Sequence, residues 1–428
     1  MKVENNASSP FNAIRIVECG QGVSAAFGAK LLADLGANVI KVEPPQGDLT
    51  RRRGPFSAGR FEPPSPGAQT RQPLPQGSGR GDAEAGGLFI YLNANKRGVV
   101  IDLQRTEGQQ LLADLLNHSD VLLHNVAPSE RAASGLDSAM LRSRHPRLIV
   151  AAISIFGESG RNSDYKGYEL TASNASGWSF LSPGASPYPD LPPLKCFGSQ
   201  CDFQGGVHSA ITVLAAYFQG LKSGHAGQSI EVSEREAVAA MLEMNFMHYT
   251  YAGRETSRLG NRALGPWFIA DCADGQIFVL AVEEDQWKRL VEFMGNPEWA
   301  SEELFKDRLS RAQNMDALKA LMTEWLAGWK VQDLYRAAQE HRIPFAPINT
   351  MRSLYESEHL RQRNFFVELD QPGVGKLQLP GMPSRYGNCQ WAIRRPAPRL
   401  GEHNEEVFCG ELGLTTERLS ALQNAGVV

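Results

Sequence analysis

The chain reads as an α/β protein: a mostly parallel sheet with helices on both faces, then a smaller α+β unit. Three observations predict this. β-branched runs alternate with stretches of helical periodicity through the first 155 residues. After residue 202 the character changes, and helices and an isolated strand follow. The length, 428 residues, exceeds what one hydrophobic core usually holds.

The elements follow in order. Residues 14–17 (IRIV) form the first expected strand. Residues 25–35 carry apolar side chains at helical spacing and stop at Gly36. Residues 38–42 (NVIKV) give the next strand. Residues 56–87 are rich in Pro, Gly, Ser and Arg and nearly lack aliphatic side chains, so they cannot form a core and read as a surface loop. Its arginines (Arg60, Arg71, Arg80) read as solvated. Strands are expected at 98–103, 121–123 and 148–155, with helices over 108–117 and ending at 141–144. Helices are then expected over 207–218 and 234–249, and a turn-rich break at 260–267. A strand at 276–282 and helices at 285–294, 304–307 and 315–326 make the smaller unit. The loop-rich end carries a helix over 416–424, stopped by Gly426. The expected domains are 1–228, linker helices 229–264, the small unit 265–350, and a linker and C-terminal segment 351–428 that returns to the large domain.

Composition narrows the function. Net charge is −4, so no global basic field favours nucleic acid or an anionic membrane. No apolar run approaches the roughly 20 residues of a membrane span. The start, MKVENN, lacks the apolar stretch of a secretory signal. The six cysteines show no metal-ligand spacing, so no metal is expected, and they read as reduced thiols of a cytoplasmic protein. Gly20-Gln21-Gly22 lacks a correctly placed third glycine, which argues against a nicotinamide or flavin. Walker-type, nucleophile-elbow and zinc-protease motifs are absent from the sequence.

The segment 198–206 (GSQCDFQGG) is the most suggestive for chemistry. Glycines admit close approach to the backbone, and an ionised carboxylate such as Asp202 is a nucleophile without a partner base. On this segment alone a helix cap is the commoner role for Asp202. Cys201 beside it is a second nucleophile to weigh, against the commoner buried inert thiol. Two basic clusters, Lys96-Arg97 and Arg51-Arg52-Arg53, suit phosphate groups, although each alone reads as a solvated run.

Taken together, seven segments resemble the class III CoA transferases of the carnitine and bile-acid (CaiB/BaiF) type, which include formyl-CoA transferase. They are 32–48 (LADLGANVIKVEPPQGD), 92–103 (LNANKRGVVIDL), 120–125 (DVLLHN), 153–160 (ISIFGESG), 224–228 (GHAGQ), 342–348 (RIPFAPI) and 400–404 (LGEHN). The resemblance implies a Rossmann-like, CoA-binding large domain and a homodimer of interlocked rings. It implies that Asp202 is the catalytic nucleophile and that Glu169 orients groups near the thioester. It places CoA contacts at Gln21, Val23, Ser24, Lys41, Asn95, Lys96, Arg97, Asn125, Lys166 and Tyr168. Coenzyme A enters as substrate, as an acyl-CoA thioester with a carboxylic acid partner, and no prosthetic group is implied.

The implied reaction runs through an acyl-aspartyl anhydride and an aspartyl-CoA thioester on Asp202, with backbone N–H groups of Gln204-Gly205-Gly206 or a mobile loop facing the oxyanions. Two departures bear on specificity. Ala25-Ala26 replaces the usual Gly-Pro of the first loop, and residues 260–267 are the nearest counterpart of the glycine-rich lid. Related racemases carry Gly-His-Asp where this chain has Gly167-Tyr168-Glu169. Without that acid/base element, epimerisation of a 2-methylacyl-CoA is disfavoured and stands as the alternative reading, with a non-catalytic CoA-binding protein a further one.

Overall fold

The computed structural model describes residues 9–56, 86–184, 188, 190–224, 226–258, 264–387 and 391–428. The bulk of the insertion 56–87 and residues 260–263 of the turn-rich break lie outside the described residues. Two compact units result. The first takes in residues 1–182, 193–255 and 364–428; the second takes in 183–192 and 256–363.

The first unit is built on a six-stranded, all-parallel sheet: β1 (Arg15–Cys19), β2 (Asn38–Glu43), β3 (Arg97–Val100), β4 (Val121–His124), β5 (Ile149–Ser154) and β6 (Ser229–Ser233). The spatial order is β3-β2-β1-β4-β5-β6. That is the doubly wound, Rossmann-like order, with its switch point between β1 and β4. Strands such as VLLH and IVAAIS are apolar almost throughout because helices cover both faces. Those helices include α1 (Ser24–Asp34), α2 (Gly87–Asn93), α3 (Thr106–Leu116), α4 (Pro128–Arg131), α5 (Ser138–Arg144), α6 (Glu169–Ala175) and α7 (Gln200–Ser223). One core layer packs Leu112 and Leu115 on Val17, Ile40 and Val150, and the other packs Leu32 and Val213 on Ile16, Val39 and Ile153.

Two sequence expectations change here. Residues 229–233, assigned to the linker, are the sixth strand; β6 pairs in parallel with β5 from Val150–Ser229 to Ser154–Ser233. The helix expected over 207–218 begins at Gln200, so Asp202 lies inside its first turn. Gly205 and Gly206 lie within this helix, packed closely on both sides. After β6 come α8 (Glu234–Ala239) and α9 (Glu243–Ala252). A hairpin that the sequence reading missed, Phe366–Gln371 with Gly375–Pro380, packs Leu369 and Leu379 against Phe89 and Ile90 of α2.

The second unit is a three-stranded antiparallel sheet, β7 (Trp267–Cys272), β8 (Gly275–Leu280) and β9 (Ala346–Pro347), with helices Glu284–Phe293, Met315–Ala327 and Val331–Glu340 around it. Its core joins Ile277, Val279, Leu290, Leu318, Met322 and Leu334. Among the described residues, no helix is long and apolar enough to cross a membrane. The described cysteines are free thiols.

Candidate active site at the switch point of the sheet

In an open parallel sheet the crevice lies beyond the carboxyl ends of the strands that flank the switch point. Here those ends are Cys19 of β1 and His124 of β4. The chain leaves β1 through Gly20 and Gly22, whose φ values of +114° and +87° suit glycine. A side chain on Gly20 would run into Asn125 Oδ1. Asn125 clamps the loop: Oδ1 accepts from Gln21 N at 3.1 Å, and Nδ2 donates to Gln21 O at 2.7 Å and Ser24 Oγ at 3.1 Å. Gly22 N donates to Asp48 Oδ1 at 3.4 Å. The structure thus brings Gln21, Ser24 and Asn125 together, with Gln21 exposed. Val23 is buried against Ala26 and Leu92 and supports the loop from beneath.

The first turn of α7 supplies the acidic half of the crevice. Its leading N–H groups have no partner within the helix. Glu169, at the start of α6, accepts from Cys201 N at 2.9 Å and Asp202 N at 3.1 Å through Oε2. Lys195 Nζ stands 3.5 Å from the other Glu169 oxygen and donates to the carbonyl oxygens of Cys196 and Gly198. Glu169 therefore fixes the backbone of the residue proposed as nucleophile. Lys166 and Tyr168, in the segment before it, are exposed.

Asp202 is half-buried. Burial, and then the negative charge of Glu169, push its carboxyl up to about 6; a hydrogen bond from Ser199 and the charge of Arg53 oppose the rise. A third carboxyl lies against the same turn of α7: Glu234, the first residue of α8, is buried, and a Cβ on Gly205 would lie 2.8 Å from its Cγ. Burial, and then the charge of Asp202, push Glu234 up to about 8. Sequence reading missed Glu234, because Ser233-Glu234-Arg235-Glu236 looks like an ordinary capped, acidic first turn; Ser233 does cap Glu236 N.

The glycines of 205–206 serve packing. A Cβ on Gly205 would lie 2.8 Å from Glu234 Cγ, and one on Gly206 would lie 2.7 Å from Ser24 O. They admit α8 and α1, not a ligand. The N–H groups of Gln204, Gly205 and Gly206 lie beyond the first turn of α7, so the helix ladder consumes them. They cannot face an oxyanion, which corrects the expectation above. Cys201 is fully buried, and burial with the Glu169 charge pushes its thiol far up, so it is no competing nucleophile.

Four expected CoA contacts are turned inward. Lys41 and Lys96 are fully buried. Lys41 Nζ pairs with Glu18 Oε1 at 2.8 Å and Asp48 Oδ2 at 2.9 Å; Lys96 Nζ pairs with Glu18 Oε2 at 2.6 Å and donates to Ala26 O at 2.8 Å. Arg97 bonds Asn38 Oδ1 at 2.9 Å and pairs with Glu406 and Glu411. Asn95, at φ +69°, donates to Asp34 Oδ1 and Ala392 O, each at 2.8 Å, and accepts from Arg394 N at 2.6 Å. A basic pair before a strand reads alike whether it meets phosphates or buried carboxylates. Here the carboxylates come from distant strands, loops and helices.

Comparison with known proteins agrees with this architecture. The sequence model of CoA-transferase family III matches residues 11–404. The chain is 29% identical over 409 residues to the succinate–glutarate CoA-transferase of Agrobacterium fabrum, covering 94% of this chain and 96% of that protein. It is 30% identical over 434 residues to the formyl-CoA:oxalate CoA-transferase of Streptomyces avermitilis, covering 97% and 98%. The crystal structure of a CaiB/BaiF family protein from Brucella suis superposes with a TM-score of 0.80 at 26% identity, covering 95% of this chain and all of that one. A match across most of the chain, on the same fold, shows that the chain belongs to CoA-transferase family III.

Proposed function

We propose that this protein moves CoA from an acyl-CoA thioester to a carboxylic acid through covalent intermediates on Asp202. The observation that carries the proposal is the placement of Asp202 in the first turn of α7, where Glu169 accepts from its backbone N–H. Asp202 attacks the thioester carbonyl; the C–S bond breaks, CoA thiolate leaves, and an acyl-aspartyl anhydride forms. The thiolate attacks the Asp202 carboxyl carbon, releasing the donor acid and leaving an aspartyl-CoA thioester. The acceptor carboxylate attacks the same carbon, expelling thiolate and forming a new anhydride. Thiolate attack on the acceptor's acyl carbon then regenerates Asp202. Gln21, Ser24 and Asn125 would seat the thioester arm, with Lys166 and Tyr168 at the exposed edge.

The two relatives' names give succinate and glutarate for one and formyl-CoA and oxalate for the other, which makes short carboxylic acids, dicarboxylic acids among them, the substrate class to try first. The working form proposed is a homodimer. Helix α9 buries none of its residues, although Met244, Phe246, Met247, Tyr249 and Tyr251 lie along it. Such a face needs a covering partner, and a second copy is the one the family resemblance implies. Sedimentation at several concentrations tests this; a monomer at micromolar concentration rules it out.

The reaction itself is tested by incubating the protein with formyl-, succinyl- and glutaryl-CoA, quenching, and mapping adducts by peptide mass spectrometry. A CoA or acyl adduct on the Asp202 peptide, lost in Asp202→Ala, is the expected result. Exchange of a substrate α-proton with solvent deuterium, without any adduct, would favour epimerisation instead.

A further inference from the structure

The first turn of α7 is capped from a distance. Ser199, at its N-cap, makes no side-chain cap hydrogen bond. The N–H groups of Cys201 and Asp202, which such a cap usually serves, donate instead to Glu169 Oε2 at 2.9 Å and 3.1 Å. The other oxygen, Glu169 Oε1, faces Lys195 Nζ at 3.5 Å. We propose that Lys195 is a positioning residue that acts on Asp202 through Glu169: its fixed ammonium offsets the charge of the capping carboxylate, so that Asp202 stays ionised as the nucleophile. This role rests on the reading of Asp202 as nucleophile.

The loop before α7 is shaped to hold that ammonium. Lys195 Nζ donates to Cys196 O at 2.7 Å and also to Gly198 O, on either side of Phe197. An ammonium has three donors, so two go to carbonyl oxygens and one is left for Glu169. The turn that brings these carbonyls round passes through Gly198 at φ +77°, a conformation that suits glycine. Gln200 Nε2 donates to Phe197 O at 3.2 Å, so side chains at both ends of the loop hold its three successive carbonyls. A half-exposed ion pair at this separation contributes little to overall stability, and its consequence is local. Lys195 also lies outside every segment that carries the family resemblance.

The charges around Asp202 define that consequence. Glu169 comes from α6, Glu234 of α8 lies against the same turn, and Arg53 after β2 supplies positive charge. Of the other elements packed on α7, α1 pairs its Lys30 with its own Asp34, β5 carries no charged residue, and Glu231 of β6 accepts from Glu158 N. Arg235 and Glu236 of α8 are exposed. The charge of Glu169 raises the Asp202 carboxyl. A cation beside Glu169 draws part of that charge away from Asp202. Removing the cation leaves the cap in place and exposes Asp202 to the full charge, which favours its protonated, non-nucleophilic form.

The test is rapid-quench mass spectrometry of the Asp202 peptide with formyl-, succinyl- and glutaryl-CoA between about pH 5.5 and 8.5, on wild type, Asp202→Ala, Lys195→Met and Lys195→Arg. Wild type should accumulate an adduct that Asp202→Ala lacks, at a rate that falls as pH drops through about 6. In Lys195→Met the fall should begin about 1 pH unit higher. The adduct then forms about fivefold more slowly near pH 6 and at nearly the wild-type rate in mild alkali, with the half-saturating acyl-CoA concentration little changed. Lys195→Arg keeps the charge and should restore the wild-type profile. An unmoved profile in Lys195→Met, or equal slowing at every pH, overturns the inference and leaves Asp202 standing. If Lys195→Met does not fold, Lys195→Gln, which keeps a donor for the loop carbonyls without the charge, decides by the same profile. No adduct in wild type with any donor overturns the Asp202 reading and this inference together.

Discussion

Two charge clusters in the sheet-bearing unit follow opposite rules. In the first, Glu18 and Asp48 face Lys41 and Lys96, two negative charges against two positive. In the second, Asp202, Glu169 and Glu234 crowd three carboxyls together. Burial alone would raise Glu18 and Asp48, but the lysines pull both below the usual carboxylate range. Nothing of that strength opposes the rise in Asp202 and Glu234. The balanced cluster fixes the loop after β1, since Asp48 also bonds Gly22 N. The unbalanced one stores unfavourable interactions where chemistry is proposed, as functional sites commonly do.

The largest expected effect separates the two roles. Asp202→Asn should lower kcat by roughly 10⁴-fold or more, without lowering the thermal midpoint at pH 8. A lower midpoint would place Asp202 in the scaffold instead. Next, Glu18→Ala leaves two buried lysines without their shared partner and should destabilise by about 3–5 kcal/mol in denaturant unfolding. A neutral result would show that water or rearrangement satisfies the lysines, and the contrast would weaken.

The clusters should also differ in pH dependence. Glu18 and Asp48 are held low when folded, so their stabilisation is present at neutral pH and is lost as pH falls through their folded values. Asp202 and Glu234 are held high, so their contribution is most favourable in acid and is lost as pH rises through about 6 and about 8. Glu234→Gln should therefore raise the thermal midpoint more at pH 8.5 than at pH 5.5, by about 2–4 °C. Equal shifts at both pH values would mean that the carboxyl is not held protonated. Smaller still, Asn125→Ala removes the clamp on Gln21 and Ser24 and should cost about 1–2 kcal/mol, with a higher KM for acyl-CoA. Lys166→Ala, at an exposed site, should change KM by no more than about fivefold, since exposed charge pairs contribute about 1 kcal/mol or less.

Much of the sheet was legible in the sequence. β1, β2, β4 and β5 sit within a residue or two of their expected places, because buried parallel strands are β-branched and apolar by necessity. β6 was not legible: SIEVS is short and mixed, and only its pairing with β5 makes it a strand. The start of α7 was not legible: glycine is a poor helix former, and only the packing of α1 and Glu234 on Gly205 and Gly206 holds that turn. Asp202 and Glu169 were singled out through the family resemblance. Glu234 was not, because a buried partner and a solvated first-turn acid look identical along the chain.

The sequence by itself determined the fold class, the family and the nucleophile expected of it, since periodicity and ordered motifs are local properties of the chain. The tertiary structure alone decided which charges meet. Glu18 reaches Lys96 across 78 residues, and Asp202 meets Glu234 because α7 and α8 flank the same edge of the sheet. Whether a lysine faces solvent or a buried carboxylate depends on strand order, and strand order is set by packing between segments that carry no mark of one another.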